Sequence, residues 1–227
     1  MTSAIIVAAG KSTRMGAGLD KLFLEVAGQP LVVHTWRRFD SSPSIDEIIL
    51  VVRERMEDRF RKLAAEFRFV KAFHLTPGGK ERQDSVWSGL QAVSSNAEIV
   101  LIQDAARPCA SEQLIADTIQ AARDVGAAVA AQRVTDTIKV SDGGVLIQRT
   151  VDRARLWAVQ TPQTFRIDVI RRALAAVRER GLLVTDDTAA CELIGQPVQL
   201  IESLTPNPKV TSPADLPLVE LLLKPQR

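Results

Sequence analysis

The sequence has only two cysteines, Cys109 and Cys191, far apart and in no metal-ligand spacing. Neither a disulfide framework nor a cysteine-based zinc site organises such a chain, and a reducing compartment is favoured. Long apolar runs are also missing, since none approaches the ~20 residues of a membrane-spanning helix. The opening MTSAIIVAAG is apolar too briefly for a signal peptide and lacks its basic start. A soluble, cytoplasmic protein is therefore expected. No charge sign dominates: 29 Lys and Arg against 27 Asp and Glu leave +2, which argues against a nucleic-acid or membrane-surface binder. His34 and His74 fit no metal spacing and have no Ser or Cys partner that would suggest a triad. Internal repeats and low-complexity segments are absent too. What remains is a 227-residue chain, 46% hydrophobic and 25% charged, ordinary for one soluble domain. A chain of this length buries roughly 70% of its unfolded surface and needs no crosslinks.

Continuous apolar runs at residues 4–8, 48–52, 99–103 and 127–131 read as strands covered on both faces, the signature of a parallel sheet. Residues 70–75 are a further strand candidate. Helical patterns lie between them: one opening with Pro30 as its first residue, one at 53–67 with a solvated charged face, then 83–93 and 111–125, the last capped by Ser111. Trp36 and Trp87 sit on predicted helix faces as core residues. This alternation predicts an α/β three-layer domain with ligand-binding loops at the C-terminal strand ends. Residues 137–140 and 145–149, joined by Ser141-Asp142-Gly143-Gly144, interrupt it as a hairpin. An isolated two-stranded arm is marginal in water, so it is expected to dock, most economically on a second subunit. A strand at 157–160, a helix at 167–180, a short helix after Asp187 and a strand at 198–202 follow. Ser212-Pro213-Ala214-Asp215 then announces a final helix. The expected organisation is one domain over 1–227, with 134–155 as a dimerisation arm.

Three segments could carry chemistry. After the first strand comes Ala8-Ala9-Gly10-Lys11-Ser12-Thr13-Arg14-Met15-Gly16. It is not a Walker motif, because Ile5 stands where a glycine is needed, and Ser12 occupies the second glycine of the dinucleotide fingerprint. Its small residues and the cations Lys11, Arg14 and Lys21 suit a triphosphate, or else form a tight turn with solvated charges. In Pro77-Gly78-Gly79-Lys80-Glu81-Arg82-Gln83-Asp84-Ser85-Val86 the glycines permit close approach and Ser85 falls in a first helical turn; a plain capped turn reads equally well. Gln103-Asp104-Ala105-Ala106-Arg107-Pro108 places Asp104 on the ligand edge, where it suits a divalent metal or a substrate hydroxyl, or caps a turn and pairs with Arg107. The segments 150–153 (TVDR), 160–165 (QTPQTF), 185–187 (TDD) and 209–211 (KVT) are individually weak signals. Asp186-Asp187 reads as a helix N-cap with a dipole-favoured acid in preference to a metal pair.

Taken in order, these segments resemble the 2-C-methyl-D-erythritol 4-phosphate cytidylyltransferase family, from the first strand to the last helix. AAGKSTRMG is shared with the wider sugar-nucleotidyltransferase superfamily. GGKERQDSV, DAARP, TVDR followed by Leu156-Trp157, QTPQ, TDD and KVT are more specific. The resemblance implies a Rossmann-like, mostly parallel nucleotidyltransferase sheet with a protruding β-hairpin arm, in a homodimer whose arms interlock. It also implies a reaction of the non-mevalonate isoprenoid pathway, in which CTP and the alcohol phosphate give the CDP-alcohol and pyrophosphate.

By matching position, the resemblance assigns Arg14, Lys21, Asp104 and Lys209 to catalysis. It assigns Ala8, Ala9, Gly10, Lys11, Gly79, Lys80, Ser85 and Ala105 to CTP. Arg107, Thr137, Arg153 and Thr161 go to the alcohol phosphate, joined by Lys209, with Thr137 and Arg153 coming from the partner's arm. Mg²⁺ would be held mainly by the CTP phosphates, near Asp104. Relatives with the same motif set act on ribitol 5-phosphate, which stays open as the acceptor. A non-catalytic nucleotide-binding regulator would need a lost site charge, yet Arg14, Lys21, Asp104 and Lys209 are all present. Four positions depart from the family's usual pattern: Asp20 stands for Pro before the loop lysine, Leu22 for a polar residue after it, Ser203 for a frequent Gly, and Pro208 for Ile.

Overall fold

In the computed structural model, residues 1–10 and 20–224 are described. Each continuous apolar run forms a strand, because a segment with apolar side chains on both faces is stable only between two covering layers. In chain order the elements begin with β1 (Thr2–Val7), the short pair β2 (Glu25–Val26) and β3 (Gln29–Pro30), and α1 (Leu31–Asp40). Next come β4 (Glu47–Val52), α2 (Glu57–Glu66), β5 (Phe73–Pro77), α3 (Arg82–Ala92), β6 (Ile99–Asp104), α4 (Glu112–Val125) and β7 (Ala127–Arg133). The arm carries β8 (Lys139–Val140) and β9 (Arg149–Thr150). The chain returns through β10 (Trp157–Arg166), α5 (Ile167–Glu179), α6 (Asp187–Leu193), β11 (Gln199–Glu202) and α7 (Leu216–Leu223). Among the described residues, no helix is long and apolar enough to cross a membrane.

Seven strands form one sheet in the order β11-β7-β10-β6-β1-β4-β5. It is parallel except for β10, which pairs antiparallel with both β6 and β7. Alternation along β1 divides the core. Ala4 and Ile6 face the layer that holds Trp36, Phe39 and Phe60, while Ile5 faces the layer of Val86, Leu90, Val169 and Leu174. This is the expected α/β sandwich with its mostly parallel sheet.

Several boundaries differ from the sequence reading, each for a local reason. Pro30 is the N-cap of α1 and not its first residue, because it is still paired with Glu25 in the small β2–β3 hairpin. Arg55 has φ +67, so the chain turns after β4 and α2 starts only at Glu57. Val70 is 83% exposed; the Asp40 carboxylate accepts from the Val70 and Lys71 amides, and β5 begins beyond them at Phe73. β10 extends six residues past Gln160, with its register shifting between Val159 and Gln163 around Pro162. In the arm the ladder is Lys139↔Thr150 and Val140↔Arg149, so Val145, Leu146 and Ile147 lie in the tip, 99%, 82% and 64% exposed. Ser111 caps α4 through the Leu114 amide as expected, and Ser212 with Asp215 forms the expected capping box before α7.

At the edge opposite the strands' C-terminal ends, Glu47 is buried. Its Oε1 accepts from Ser3 Oγ at 2.5 Å and from the Ser94 amide at 2.9 Å, and its Oε2 accepts from Ser94 Oγ at 2.5 Å. Burial pushes this carboxyl up, but the Ser3 and Ser94 hydrogen bonds outweigh it and hold the group below the usual carboxylate range. A depressed carboxyl stabilises the fold above its unfolded pKa and loses that contribution as pH falls through the folded value. Glu47→Gln should therefore cost about 1–3 kcal/mol at neutral pH in urea unfolding, with the difference from the parent shrinking as the buffer is acidified.

Candidate active site

The C-terminal ends of β1 and β6 open into a cavity of about 360 Å³. β1 brings Ala8, Ala9 and Gly10 to its wall, and β6 brings Asp104 and Ala105. The turn from β5 into α3 adds Gly79, Lys80 and Arg82, with Ser85 on the first turn of the helix. Lys21 opens a short 3₁₀ turn, Lys21–Phe23, and Lys209 arrives from the segment before α7.

Backbone contacts explain why these segments converge. The Ala8 amide donates to Val51 O at 2.7 Å, the Ala105 amide to Val7 O at 3.1 Å and the Gly78 amide to Val52 O at 2.8 Å. A Cβ built on Gly78 would lie 2.2 Å from Ala9 Cβ, and one on Gly79 would lie 2.3 Å from Asp84 Cβ. A side chain is excluded at Gly78 because the loop after β1 packs on its bare backbone, and at Gly79 because the first turn of α3 does. The Gly79 amide donates to Ser85 Oγ at 3.1 Å, and Glu81 and Asp84 form a capping box at the start of α3.

Charge is concentrated on Asp104. Lys209 Nζ lies 2.7 Å from its Oδ2, Arg82 Nε 3.3 Å from its Oδ1, and Arg107 Nε 3.8 Å from its Oδ2. Burial would raise this carboxyl, but Arg82, Lys209 and Arg107 hold it at about 2, so it is an anion at any ordinary pH. Its amide donates to Thr161 Oγ1 at 3.1 Å. Thr161 O and Gln160 Oε1 both accept from Asn207 Nδ2, and Arg107 donates to Asn207 O at 2.7 Å. Arg82 also meets the buried Asp187 at 2.7 Å. Burial works against the Arg82 charge, yet Asp187 and Asp104 hold its pKa above the usual range. Gln83 staples residues 182–184 to α3 by hydrogen bonds to Leu182 O and from the Val184 amide, which brings Asp187 within reach.

The structure thus gathers Ala8, Ala9, Gly10, Lys21, Gly79, Lys80, Ser85, Asp104, Ala105 and Lys209 around one cavity. Arg107 and Thr161 stand behind Asp104. Thr137 and Arg153 are exposed on the arm and do not line the cavity of their own chain; Arg153 donates to Thr135 O. Lys11 and Arg14 lie outside the described residues. Asp186 caps α6 through the Ala189 amide at 2.9 Å while Asp187 pairs with Arg82, so the two acids have separate partners. Among the described residues no group of three His, Cys, Asp or Glu could hold a metal. Sequence reasoning missed Arg82, Asp187, Asn207 and Gln163, whose Oε1 accepts from the Asp187 amide at 3.1 Å. Arg82, Gln163 and Asp187 lie inside motifs already singled out, but no spacing joins an arginine to an acid 105 residues away.

Gly78→Ala tests the bare-backbone contact. The variant should fold, yet bind the CTP that the sequence resemblance implies about tenfold or more weakly, because a Cβ placed 2.2 Å from Ala9 Cβ forces a shift of about 1 Å. Isothermal titration with CTP, beside a thermal melt, checks it.

The family model for 2-C-methyl-D-erythritol 4-phosphate cytidylyltransferase matches residues 2–225. The chain is 46% identical over 220 residues to the enzyme of that name from Geobacillus kaustophilus, covering 97% of this chain and 96% of that one. It is 44% identical over 223 residues to the one from Symbiobacterium thermophilum, covering 98% and 92%. Among solved structures, 4-diphosphocytidyl-2C-methyl-D-erythritol synthase from Anaerococcus prevotii superposes with a TM-score of 0.86 at 30% identity, covering 98% and 95%. The cytidylyltransferase from Thermus thermophilus gives 0.78 at 32%, covering 96% of each chain. With its fold, its motif order and nearly its whole length accounted for, the chain belongs to the 2-C-methyl-D-erythritol 4-phosphate cytidylyltransferase family.

Proposed function

We propose that this chain transfers the cytidylyl group of CTP to 2-C-methyl-D-erythritol 4-phosphate, giving 4-diphosphocytidyl-2-C-methyl-D-erythritol and pyrophosphate. The observation that carries the reading is the cavity whose wall brings together Lys21, Lys80, Arg82 and Lys209 with the ionised Asp104. A phosphate oxygen of the acceptor attacks the α-phosphorus in line, a new P–O bond forms, and the bond to the β-phosphate breaks. The nucleophile is already an anion near neutral pH, so no strong general base is required. His34 fits this reading: it is engaged with Val26 O at 2.7 Å and does not line the cavity. The site's task is to position two phosphate groups and neutralise the charge that builds on the α-phosphate.

In this reading Ala8, Ala9, Gly10, Gly79, Ser85 and Ala105 take the nucleoside, the glycines letting it approach the backbone. Lys11, Arg14, Lys21 and Lys80 meet the triphosphate. Asp104 orients Lys209 and Arg107 toward the acceptor phosphate, and Thr161 fixes the Asp104 backbone. Mg²⁺, when bound, spreads positive charge over the triphosphate. One cavity carboxylate beside substrate phosphates suits this ion, which is seldom held in an all-protein cage. The buried free thiols of Cys109 and Cys191 accord with a reducing, cytoplasmic setting.

We read the chain as a single nucleotidyltransferase domain with residues 134–155 as a dimerisation arm. Support comes from the bare apolar tip at Val145, Leu146 and Ile147, and from Thr137 and Arg153 lying off their own cavity. A second copy would cover the former and be completed by the latter.

Pyrophosphate release from CTP and Mg²⁺, with 2-C-methyl-D-erythritol 4-phosphate and ribitol 5-phosphate offered separately, tests the assignment. Turnover with the first alone is expected; turnover with the second alone would keep the chemistry and change the acceptor. Lys21→Ala should fold normally and lose ~10²–10³ in rate, as when one preorganised transition-state donor is deleted. Deleting residues 137–149 should give monomers with little activity, read by light scattering and the same assay. A fully active dimer after that deletion would refute the arm's role.

A further inference from the structure

The residues flanking Lys21 are an acid and a leucine, and the structure gives each an anchor. Leu22 is buried, and Phe23 meets the Phe60 ring edge-on at 5.6 Å with Arg59 stacked over its other side. These contacts tie the downstream half of the 3₁₀ turn to α2. Upstream, Asp20 Oδ1 accepts from the Leu22 amide at 3.3 Å, and Asp20 Oδ2 pairs with the Arg53 guanidinium. Arg53 directly follows β4, and its pairing is only partly open to solvent. The turn is thus gripped at one end by α2 and at the other by the connection that leads into it. From it, Lys21 Nζ reaches across to Val210 O at 2.8 Å, next to Lys209. Neither Asp20 nor Arg53 lines the cavity.

A carboxylate one residue from a triphosphate-binding lysine is a liability: uncompensated, it draws on the ammonium and repels the incoming phosphates. We infer that Arg53 is a positioning residue for the reaction, clamping and neutralising Asp20 so that Lys21 is presented to CTP. The assignment rests on Lys21 acting in the proposed transfer.

Steady-state kinetics on the full chain, for Arg53→Gln, Asp20→Asn, the double variant and Lys21→Ala, test it beside thermal melts. Arg53→Gln should lower kcat/KM for CTP about tenfold by removing the guanidinium that holds the Asp20 carboxylate, with melting changed little, as for a partly exposed pair. Asp20→Asn keeps an oxygen for the Leu22 amide and removes the charge, and should lose less than about threefold. The double variant should recover to the level of Asp20→Asn, a non-additivity in kcat/KM at unchanged melting, whereas a merely structural pair would show its coupling in the melts and a direct ligand contact would not recover. In the Lys21→Ala background, Arg53→Gln should cost nothing further.

Several results would overturn the inference. They are an Arg53→Gln variant with parental kinetics, one that only melts earlier, or a double variant as impaired as Arg53→Gln alone. Full turnover by Lys21→Ala would remove Lys21 from the chemistry and the inference with it. That failure is told apart because it shows in a variant where the Asp20–Arg53 pair is intact.

Discussion

A buried carboxylate at the end of β6 can stay ionised only with cations beside it, and the ligand edge of this molecule is arranged around that requirement. Desolvating Asp104 costs several kcal/mol, and one surface lysine could not offset it. The chain answers from three places: Arg82 at the start of α3, Arg107 in the loop after β6, and Lys209 near the C-terminal end. Each is held in turn, Arg82 by Asp187, Arg107 by Asn207 O, and the Lys209 segment through the Val210 amide on Ala106 O. Segments distant in sequence are thereby locked into one polar network, which is well suited to a site that must be rigid before its ligands arrive. The three cations outnumber the two carboxylates they meet, so a positive surplus remains even before Lys21 and Lys80 are counted.

The same network shows what could be read from the sequence and what could not. The strands were legible because a parallel sheet demands continuous apolar runs, and β1, β4, β6 and β7 carry them. Ser111, Asp186 and Ser212 were legible because capping is a local matter of one side chain and a few amides. The glycines at 78 and 79 announced a close approach but not its partner, since Ala9 lies on another strand's loop. Asp104 declared itself by its place at a strand end. That Arg82 and Asp187 flank it did not, because an ion pair across the fold leaves no period or spacing behind. The start of α2 was misjudged for the opposite reason: Met56 fits the helical stripe, but Arg55 takes a left-handed φ that no stripe records.

Asp20 and Leu22 illustrate how a departure from a family's habit can be absorbed. A leucine beside a cavity lysine reads as a misplaced apolar group until its burial is seen, and an aspartate there reads as a misplaced charge until Arg53 is found against it. Neither neighbour is adjacent in sequence to what it compensates. Substitutions of this kind are tolerable in pairs and costly alone, and the pairing is visible only in three dimensions.

The arm leaves the sheet at Arg133 and re-enters at Trp157, two residues that are ladder partners. Its legs stay together outward, with the Val134 amide on Leu156 O and the Val151 amide on Ile138 O. An excursion whose feet stand side by side puts no tension on the strands it interrupts. It could shorten, lengthen or change composition while the seven-strand register stayed the same. β7 delivers the arm at the edge where the cavity opens, and β10, the one antiparallel member of the sheet, starts from that same edge, so the chain re-enters beside the point where it left. In the proposed reading, Arg107, Thr161 and Lys209 would hold the acceptor from the rigid network around Asp104, and only Thr137 and Arg153 would meet it from the arm. Changes confined to the arm could then retune acceptor preference while the nucleotide cavity stays as it is.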